Sequence, residues 1–593
     1  MSGRIKVAIL GGGIGGLSAA HELVEQGDAF EVHVYEAGRG LGGKAQSQFL
    51  AGTGKDGRAD LPGEHGFRFF PSWYQHIPDT MRRTQRLEGG SVLDNLIGCT
   101  EMAMAEADGQ RVHRLRRHAP TSMGQLFDMV GTVRNIFAEA EVPSADIARF
   151  AKKMLDFLLT SDERRRDQYE MVSFFDFIEG ATYSPRFQRY VNSSRFMVAM
   201  DARRGSACTI ANKALLMLID FTRAECEKDR VLNGPTATQW LKPWEHHLRE
   251  QGVTFHLGKR VTQLELDPAV RRIIGARFDG EPEPVSADHF IAALPIEKMR
   301  ALISDELALL DDSLARMRRP SRTTAWMVGA QYFLRRDVAI CDGHVAYTDS
   351  PWALSSISQV GLWNRNKPES EHFHRKYGDG SVRGLLSIDV SDWETIAPRI
   401  GKTAAQCRDG DEVLTEVWEQ LKGALNHGEP LITDEDVVVR HLDAGIRFTE
   451  RGAENDSPLL VHPPGSWYSR PTAVLGGVEN LFLAADYVQT ETDLATMESA
   501  CEAARRAVNG LCERAGRSER AALFPMVEDA GRVVRWAKER DRKSWVEKRS
   551  VPPPLATWDV PRAEDRPTLE EVSRYQAEIE RALTAIMPTD DTQ

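Results

Sequence analysis

Three glycines near the start of the chain have the spacing that lets a backbone cradle a pyrophosphate. Gly11, Gly13 and Gly16 follow the pattern G-x-G-x-x-G, and Glu36 lies about 20 residues further on. The first glycine permits a tight turn, the second lets the backbone approach the phosphates, and the third lets a helix pack closely on a strand. Glu36 can accept hydrogen bonds from ribose hydroxyls. The spacing therefore indicates dinucleotide binding, with a purely structural turn as the alternative.

The elements that must position these residues follow from the hydrophobic pattern. Residues 7–10 and 31–35 predict short apolar strands, and residues 17–26 between them predict a helix. The glycine turn then lies at a helix N-terminus, where unpaired N–H groups and the helix dipole attract phosphates. An acid after the second strand favours a free ribose 2′-hydroxyl, so we expect FAD or NAD rather than NADP.

Two further segments favour FAD over NAD. Residues 38–44 form a second glycine-rich, basic loop, and a flavin that extends past the pyrophosphate needs such close backbone contact. Residues 480–487 predict a buried strand that ends near Asp486, and Met497 opens a predicted helix. The acid can hold a ribityl hydroxyl, and the helix start can face the flavin edge where negative charge develops on reduction. Each segment alone also fits ordinary structural packing.

The predicted cofactor segments are separated along the chain. Residues 239–250 predict a helix, and three segments predict strands of the same domain: residues 252–257, 261–266 and 287–295. We expect the chain to divide into an FAD-binding domain at 1–75, 232–297 and 470–515, a helical insert facing substrate or membrane at 76–231, a substrate-domain sheet with helices at 298–469, and a C-terminal helical extension at 516–593.

Composition is typical of a large globular protein. The chain has 593 residues, of which 41% are hydrophobic and 27% charged, and its formal net charge is −12. This length requires at least two domains, and the negative charge gives no support for nucleic-acid binding. The seven cysteines are scattered without C-x-x-C spacing. They indicate a reducing compartment and argue against a metal site or a disulfide framework.

The sequence also bears on localisation. No segment approaches the roughly 18 apolar residues that span a bilayer, and the first strand begins too early to leave room for a signal peptide. We therefore expect a cytoplasmic protein. Residues 111–118 form a basic cluster beside predicted amphipathic helices, which can dock the inner face of an anionic membrane. The alternative is a solvated basic loop.

The inserts and the tail carry further predicted elements. Apolar residues at helical spacing occur over residues 129–137 and 147–158 of the first insert. In the second insert, residues 324–333 and 384–390 predict strands, and residues 413–425 predict a helix. The tail ends in a predicted helix that begins with a capping box at 568–571 and ends near 586. The tail can pack on the domain, mediate oligomerisation or bind a partner.

The cofactor blocks resemble the flavin amine oxidase and phytoene desaturase superfamily, and most closely the carotene desaturases of plants and cyanobacteria. The matching blocks are residues 11–16, Glu36, residues 42–44, Val261, and residues 292–295, 483–487 and 497–500. Ala485 and Ser499 stand where those desaturases have glycine. The resemblance implies FAD as the cofactor, held by Gly11, Gly13, Ile14, Gly15, Gly16, Glu36, Ala37, Gly42, Gly43, Lys44, Val261, Ala293, Asp486, Thr496 and Met497.

The resemblance also implies a fold and a flavin face. The expected fold is α/β: a Rossmann-like FAD-binding domain of the glutathione-reductase type, interrupted by an α+β substrate domain with a helical subdomain. Residues 63–74 resemble the stretch that lies beside the flavin in the family, where the desaturases have a histidine. We expect His65, Arg68 and Tyr74 at this catalytic face. In the alternative, the aromatic residues of the stretch belong to the core and His65 is a satisfied buried histidine.

The activity implied by the resemblance is an FAD-dependent dehydrogenation of a CH–CH bond. An apolar isoprenoid or lipid-like substrate would give a hydride to flavin N5, and a quinone or oxygen would accept the electrons. The alternatives are a flavin amine oxidase, a non-redox isomerase of a polyene, and a scaffold that only retains FAD. Amine oxidases usually have an aromatic residue where Thr496 stands, and a lysine on a substrate-domain strand that residues 321–336 lack.

Overall fold

A computed structural model of the protein describes residues 4–108, 111–116, 142–196, 199–220, 229–318, 323–526 and 531–548. The strands of the described residues are β1 (Ile5–Leu10), β2 (Phe30–Glu36), β3 (Ser47–Leu50), β4 (Leu61–Glu64), β5 (Leu96–Gly98), β6 (Glu101–Glu106), β7 (Arg111–Arg116), β8 (Arg230–Leu232), β9 (Thr254–Leu257), β10 (Val261–Asp267), β11 (Arg272–Phe278), β12 (His289–Ala292), β13 (Thr324–Ala325), β14 (Val328–Leu334), β15 (His344–Tyr347), β16 (Leu354–Ser358), β17 (Gly384–Val390), β18 (Val437–Leu442), β19 (Ile446–Thr449), β20 (Gly452–Asn455), β21 (Leu459–Leu460) and β22 (Leu481–Leu483).

The helices of the same residues are α1 (Ile14–Val24), α2 (His76–Arg83), α3 (Ser144–Leu159), α4 (Asp162–Asp167), α5 (Phe174–Phe177), α6 (Pro185–Asn192), α7 (Ala207–Asp220), α8 (Lys242–Glu250), α9 (Ile296–Leu302), α10 (Asp305–Leu310), α11 (Asp312–Arg318), α12 (Val360–Asn364), α13 (Phe373–Lys376), α14 (Gly410–Leu425), α15 (Met497–Arg514) and α16 (Gly531–Lys548). None of these helices is both long and apolar enough to cross a bilayer.

A five-stranded parallel sheet forms the centre of the molecule, in the order β22-β12-β1-β2-β9. Its central strand β1 ends in four fully buried residues, Val7 to Leu10, because parallel sheets are covered on both faces. Helices α1 and α15 pack against each other beside it. The strands come from residues 5–36, 254–292 and 481–483, so distant segments meet in one sheet. The predicted α/β fold with a parallel cofactor sheet is confirmed.

The second large sheet has seven strands, in the order β18-β14-β17-β16-β15-β6-β7. Its pairs are antiparallel except for β15 and β6, which are parallel. Helix α14 packs on one face through Val413, Val417 and Leu421. The strand and helix predictions for 324–333, 384–390 and 413–425 are confirmed, with a break in the first strand between β13 and β14.

The first insert contains strands that the sequence analysis did not predict. Strands β6 and β7 extend the seven-stranded sheet, and the basic residues 111–116 form its edge strand rather than a loop. The physical reason is the alternation in β6, where Ala103 and Ala105 pack into the core of the sheet while their neighbours face the other side. Helix α3 contains the predicted apolar residues 147–158. The predicted helical face at 129–137 and residues 117 and 118 lie outside the described residues.

The described part of the tail packs on the helical insert. Helix α16 lies against α3 and α4. The Asp541 carboxylate accepts hydrogen bonds from the Ser161 amide at 2.9 Å and from the Arg164 guanidinium at 2.8 Å. The Trp545 indole donates to Asp167 at 2.7 Å. The predicted helix that ends near residue 586 lies outside the described residues.

Candidate active site

A cavity of about 1130 Å³ lies between the two large sheets and the helical insert. It exceeds the roughly 300–1,000 Å³ typical of small-molecule sites, so it can hold a dinucleotide and a second ligand. Every predicted cofactor residue except Gly16 lines it, as do His65, Arg68 and Tyr74. Segments that are hundreds of residues apart in the sequence thus line the same cavity.

The glycine turn is built as its spacing predicts. Gly11 has φ +106°, a left-handed conformation that glycine tolerates. A Cβ on Gly16 would lie 1.9 Å from the Gly11 carbonyl oxygen, so Gly16 lets α1 pack on the turn beneath the cavity. No side chain caps the N-terminus of α1, whose first residues Ile14 and Gly15 line the cavity. The backbone N–H groups at this helix start are therefore available to phosphate oxygens.

Glu36 connects the two glycine-rich loops. Its carboxylate accepts hydrogen bonds from the Gly12 amide at 2.8 Å and from the Gly38 amide at 2.6 Å. The Gly42 amide in turn donates to the Gly12 carbonyl at 2.8 Å. Each carboxylate oxygen can accept more than one bond, so Glu36 can hold the loops and still accept from a ribose hydroxyl.

Charged groups surround the end of β22. Asp486 faces the cavity, and burial raises the pKa of its carboxyl while the Lys44 ammonium opposes that shift. Lys44 Nζ lies 3.8 Å from a carboxylate oxygen of Glu297, which also lines the cavity. These three groups can hold polar parts of a cofactor chain through both donors and acceptors.

Helix α15 begins at the cavity. Thr496 is its N-cap and accepts a hydrogen bond from the Ser499 amide at 3.2 Å. The Ser499 hydroxyl is 2.8 Å from that of Thr490 in the protein interior. Glu498 is structural, because its carboxylate accepts from three backbone amides at the start of α2, at 2.7 to 2.9 Å. The helix start thus combines cavity-lining residues with a fixed attachment to α2.

His65 lies in the cavity wall with a defined orientation. Its Nδ1 is hydrogen-bonded to the carboxylate of buried Asp443. Burial favours the neutral form of Asp443, but hydrogen bonds from His65 and Gly445 outweigh it and lower the pKa of the carboxyl below 3.8. The buried Nε2 of His65 has no hydrogen-bond partner among the described residues. In a neutral imidazole whose Nδ1–H donates a hydrogen bond to a carboxylate, Nε2 is an acceptor.

Arg68 and Asp389 form a second polar group in the cavity wall. Arg68 donates to the carbonyls of Gly66 at 2.9 Å and Lys44 at 2.6 Å. Burial raises the pKa of Asp389 to about 7, against the attraction of Arg68 and a hydrogen bond from the Phe67 amide. The sequence prediction missed Asp389. Its signal was the alternation in β17, which buries Leu386, Ile388 and Val390 on one face and leaves Asp389 on the other.

Tyr74 shapes the cavity next to α15. Burial raises the pKa of its hydroxyl far above the usual range, with a further contribution from Glu498, while a hydrogen bond with Thr496 opposes the shift. The ring of Trp73 meets that of Tyr74 edge-on, with centroids 4.7 Å apart. Tyr74 stays protonated at neutral pH, so it can donate a hydrogen bond or pack but not act as a base.

The other end of the cavity is largely apolar. Aromatic, methionine and aliphatic side chains of the first insert line it: Met102, Met104, Phe150, Phe174, Phe187, Val191, Ile210 and Met217. Lys213 of α7 lies among them. Strand β6 supplies its methionines through the same alternation that buries Ala103 and Ala105 on the opposite face. Sequence analysis had assigned none of these side chains to the site.

One group of metal-capable side chains occurs among the described residues, at His21, Glu25 and His247. The Trp244 indole donates to His21 Nδ1 at 3.2 Å. The proton of the neutral ring then sits on Nε2, so that nitrogen has no lone pair for a metal. Burial also lowers the pKa of His21 well below 6.5, in keeping with a neutral core histidine. We assign this group to the core.

The model of the family of flavin-containing amine oxidoreductases matches residues 14–512 of the chain. This match covers most of the chain, and the protein belongs to that family. It is an FAD-dependent oxidoreductase, and the glycine turn, the Glu36 carboxylate and the start of α15 fit FAD. The carotene desaturase subtype is not distinguished by this match.

Solved structures share the fold. Putrescine oxidase bound to putrescine is 16% identical with a TM-score of 0.56, and the match covers 86% of this chain and 99% of that one. Cyclohexylamine oxidase from Brevibacterium oxydans IH-35A is 15% identical with a TM-score of 0.54, covering 87% and 100%. An oxidoreductase from Methanosarcina mazei is 12% identical with a TM-score of 0.53, covering 86% and 100%. No curated protein matches the chain by sequence.

Proposed function

We propose that the protein removes two hydrogens from a CH–CH bond of an apolar isoprenoid or lipid-like substrate. The observation that carries the proposal is the apolar lining of the cavity beyond the cofactor residues. Such a wall binds a ligand by removing apolar surface from water, at about 25 cal/mol per Å². It offers few hydrogen-bond partners, so a highly polar substrate would lose its hydration there without replacement.

The protein would contribute a proton acceptor and side chains that hold the substrate in a fixed orientation. FAD, when bound, supplies the chemistry of accepting a hydride from the substrate carbon. His65 Nε2 would accept the proton that leaves the adjacent carbon, while Asp443 holds the Nδ1 proton and fixes the ring. One carbon loses a hydride and its neighbour loses a proton. The electrons of the C–H bond that loses the proton form the new double bond. Arg68 and Tyr74 would fix the shape and charge of the same face.

Amine oxidation is the second candidate. The family match favours it, as do the shared folds of putrescine oxidase and cyclohexylamine oxidase, and Asp389 offers a buried carboxyl to an amine. Two features weigh against it. Lys213 at the apolar end would repel a cationic amine, and Thr496 stands where the resemblance implies an aromatic residue in amine oxidases.

The two candidates differ in which compounds reduce the flavin. Full-length FAD-loaded protein, free of oxygen, should lose its yellow absorbance with phytoene or hydroxysqualene and keep it with putrescine or cyclohexylamine. Reduction by an amine and by neither isoprenoid would overturn the proposal in favour of amine oxidation. Reoxidation of the reduced protein with a quinone and with oxygen then identifies the electron acceptor, which we propose to be one of these two.

A further inference from the structure

Lys213 is a buried cation that has no counter-ion in the part of the chain that the structure describes. It lies on α7, 2% of its surface is exposed, and it lines the apolar end of the cavity. Its Nζ is 5.3 Å from the centre of the Trp73 ring. Among the described residues it makes no hydrogen bond or ion pair, and its contact with Trp73 is a cation–π interaction.

The acids near Lys213 are already engaged by other groups. Asp493 accepts from Arg166 at 2.8 Å and also binds Arg470. Glu502 accepts from the Glu491 amide at 2.8 Å and the Thr492 amide at 2.9 Å. These carboxylates influence Lys213 only from a distance, with Arg166 opposing them.

Burying the charged ammonium group of Lys213 in these apolar surroundings is unfavourable in free energy. Burial lowers the pKa of Lys213 to about 8, so the group still carries its charge in most molecules at pH 7. A buried charge without a hydrogen-bonded partner is unfavourable, and an anion placed beside it would offset part of that cost. Ile210, Ala214 and Met217 of the same helix line the cavity around it, so the anion must belong to an otherwise apolar ligand.

We propose that the apolar end of the cavity binds a ligand whose hydrocarbon chain carries one carboxylate, paired with Lys213 Nζ. This inference rests on the proposed function and narrows its substrate class to an isoprenoid or lipid acid. A single ammonium matches a single carboxylate. A diphosphate would need further cations, and the other cations among the described lining residues are Lys44, Arg68, Lys259, Arg260 and Lys298, none of them on the helices of the insert.

The test compares two ligands that differ only in the head group. Calorimetric titration of the FAD-loaded protein with geranylgeranoic acid and with geranylgeraniol, below their micelle concentrations, should give a Kd about tenfold lower for the acid. Lys213→Met should abolish that preference and leave the Kd of the alcohol within about twofold. Lys213→Arg should retain part of the preference, and Lys242→Met, on α8 outside the cavity, should retain all of it.

Equal Kd values for acid and alcohol in the unaltered protein would overturn the carboxylate site, as would a preference that survives in Lys213→Met. Lys213→Gln, a neutral side chain of similar length, replaces the Met variant if that variant fails to fold. Flavin reduction by the same ligands separates the two proposals. Acid preference without any isoprenoid oxidation overturns the proposed function alone, whereas hydrocarbon oxidation without acid preference overturns the carboxylate site alone.

Discussion

At the residue scale, the polar side chains in the cavity wall differ in how many hydrogen-bond partners they have. Asp443 is buried and hydrogen-bonded, and it orients His65, whose Nε2 has no partner in the described structure. Asp389 is buried beside Arg68 and has its pKa raised to about 7. Perturbed and partly unsatisfied groups in a cavity are typical of functional sites. His65 is therefore the side chain best placed to move a proton, and Asp443 acts through it.

Replacement of His65 tests the proton acceptor. His65→Gln should slow anaerobic flavin reduction by the substrate at least about 100-fold, because general bases contribute that much or more. FAD content and the substrate Kd should stay unchanged, since neither depends on a proton transfer. Stopped-flow absorbance measures the rate. A rate equal to that of the unaltered protein would remove His65 from the mechanism.

Asp443→Asn tests the positioning role separately. The neutral amide weakens the charge-assisted hydrogen bond that orients the His65 ring, so the maximal rate of flavin reduction should fall about tenfold while the substrate Kd stays unchanged. Asp456→Asn is the control, because Asp456 lines the cavity but pairs with Arg447 instead. An unchanged rate in Asp443→Asn would contradict the positioning role of Asp443.

Asp389 should make stability depend on pH. The folded protein keeps the Asp389 proton up to about pH 7, whereas the unfolded chain ionises near 3.8. Between these pH values the folded state binds more protons than the unfolded chain, so the free energy of unfolding falls as pH rises. The loss is complete above pH 7 and amounts to at most about 4 kcal/mol. Asp389→Asn removes this loss, so its gain in Tm over the unaltered protein should be larger at pH 8 than at pH 5. Equal gains at both pH values would contradict the buried neutral carboxyl.

At the scale of elements, the packing of α1 on the glycine turn controls the cofactor site. Gly16→Ala places a Cβ 1.9 Å from a backbone oxygen that cannot move without opening the turn. We expect the purified variant to lose FAD and to unfold at a lower temperature. Gly476→Ala is the matched control, because nothing lies within 4 Å of its added Cβ. FAD retention by Gly16→Ala at the level of Gly476→Ala would contradict the role of this helix contact.

At the scale of the whole molecule, helix α16 of the tail packs against helices α3 and α4 of the first insert. Asp541 anchors it on Ser161 and on Arg164, whose side chain is only 1% exposed. Asp541→Ala leaves that guanidinium buried without its carboxylate, so hydrogen exchange in α16 and α4 should accelerate. Glu539→Ala, exposed on the same helix, should leave exchange in α4 unchanged. Unchanged exchange in Asp541→Ala would show that apolar packing alone holds α16.

Sequence analysis predicted the cofactor half of the molecule better than the substrate half. Glycine spacing and the acid at Glu36 are local signals, so the parallel sheet and its turn could be predicted from them. Lys213 has no such signal, and the alternation in β17 shows only that Asp389 lies on the face opposite Leu386 and Ile388. Whether either residue reaches the cavity depends on which faces of α7 and β17 the fold directs toward it. Strand β6 was missed for the same reason, since it pairs with β15, more than 200 residues away, and β7 joins the sheet only through β6.

The central claim is that one cavity holds FAD and an apolar substrate that loses two hydrogens there. A single anaerobic turnover with phytoene, followed by mass spectrometry of the product, tests it most directly. We predict one flavin reduced for each product molecule formed, and a product lighter by two hydrogen atoms. A product of unchanged mass with the flavin still oxidised would instead indicate isomerisation and contradict the claim.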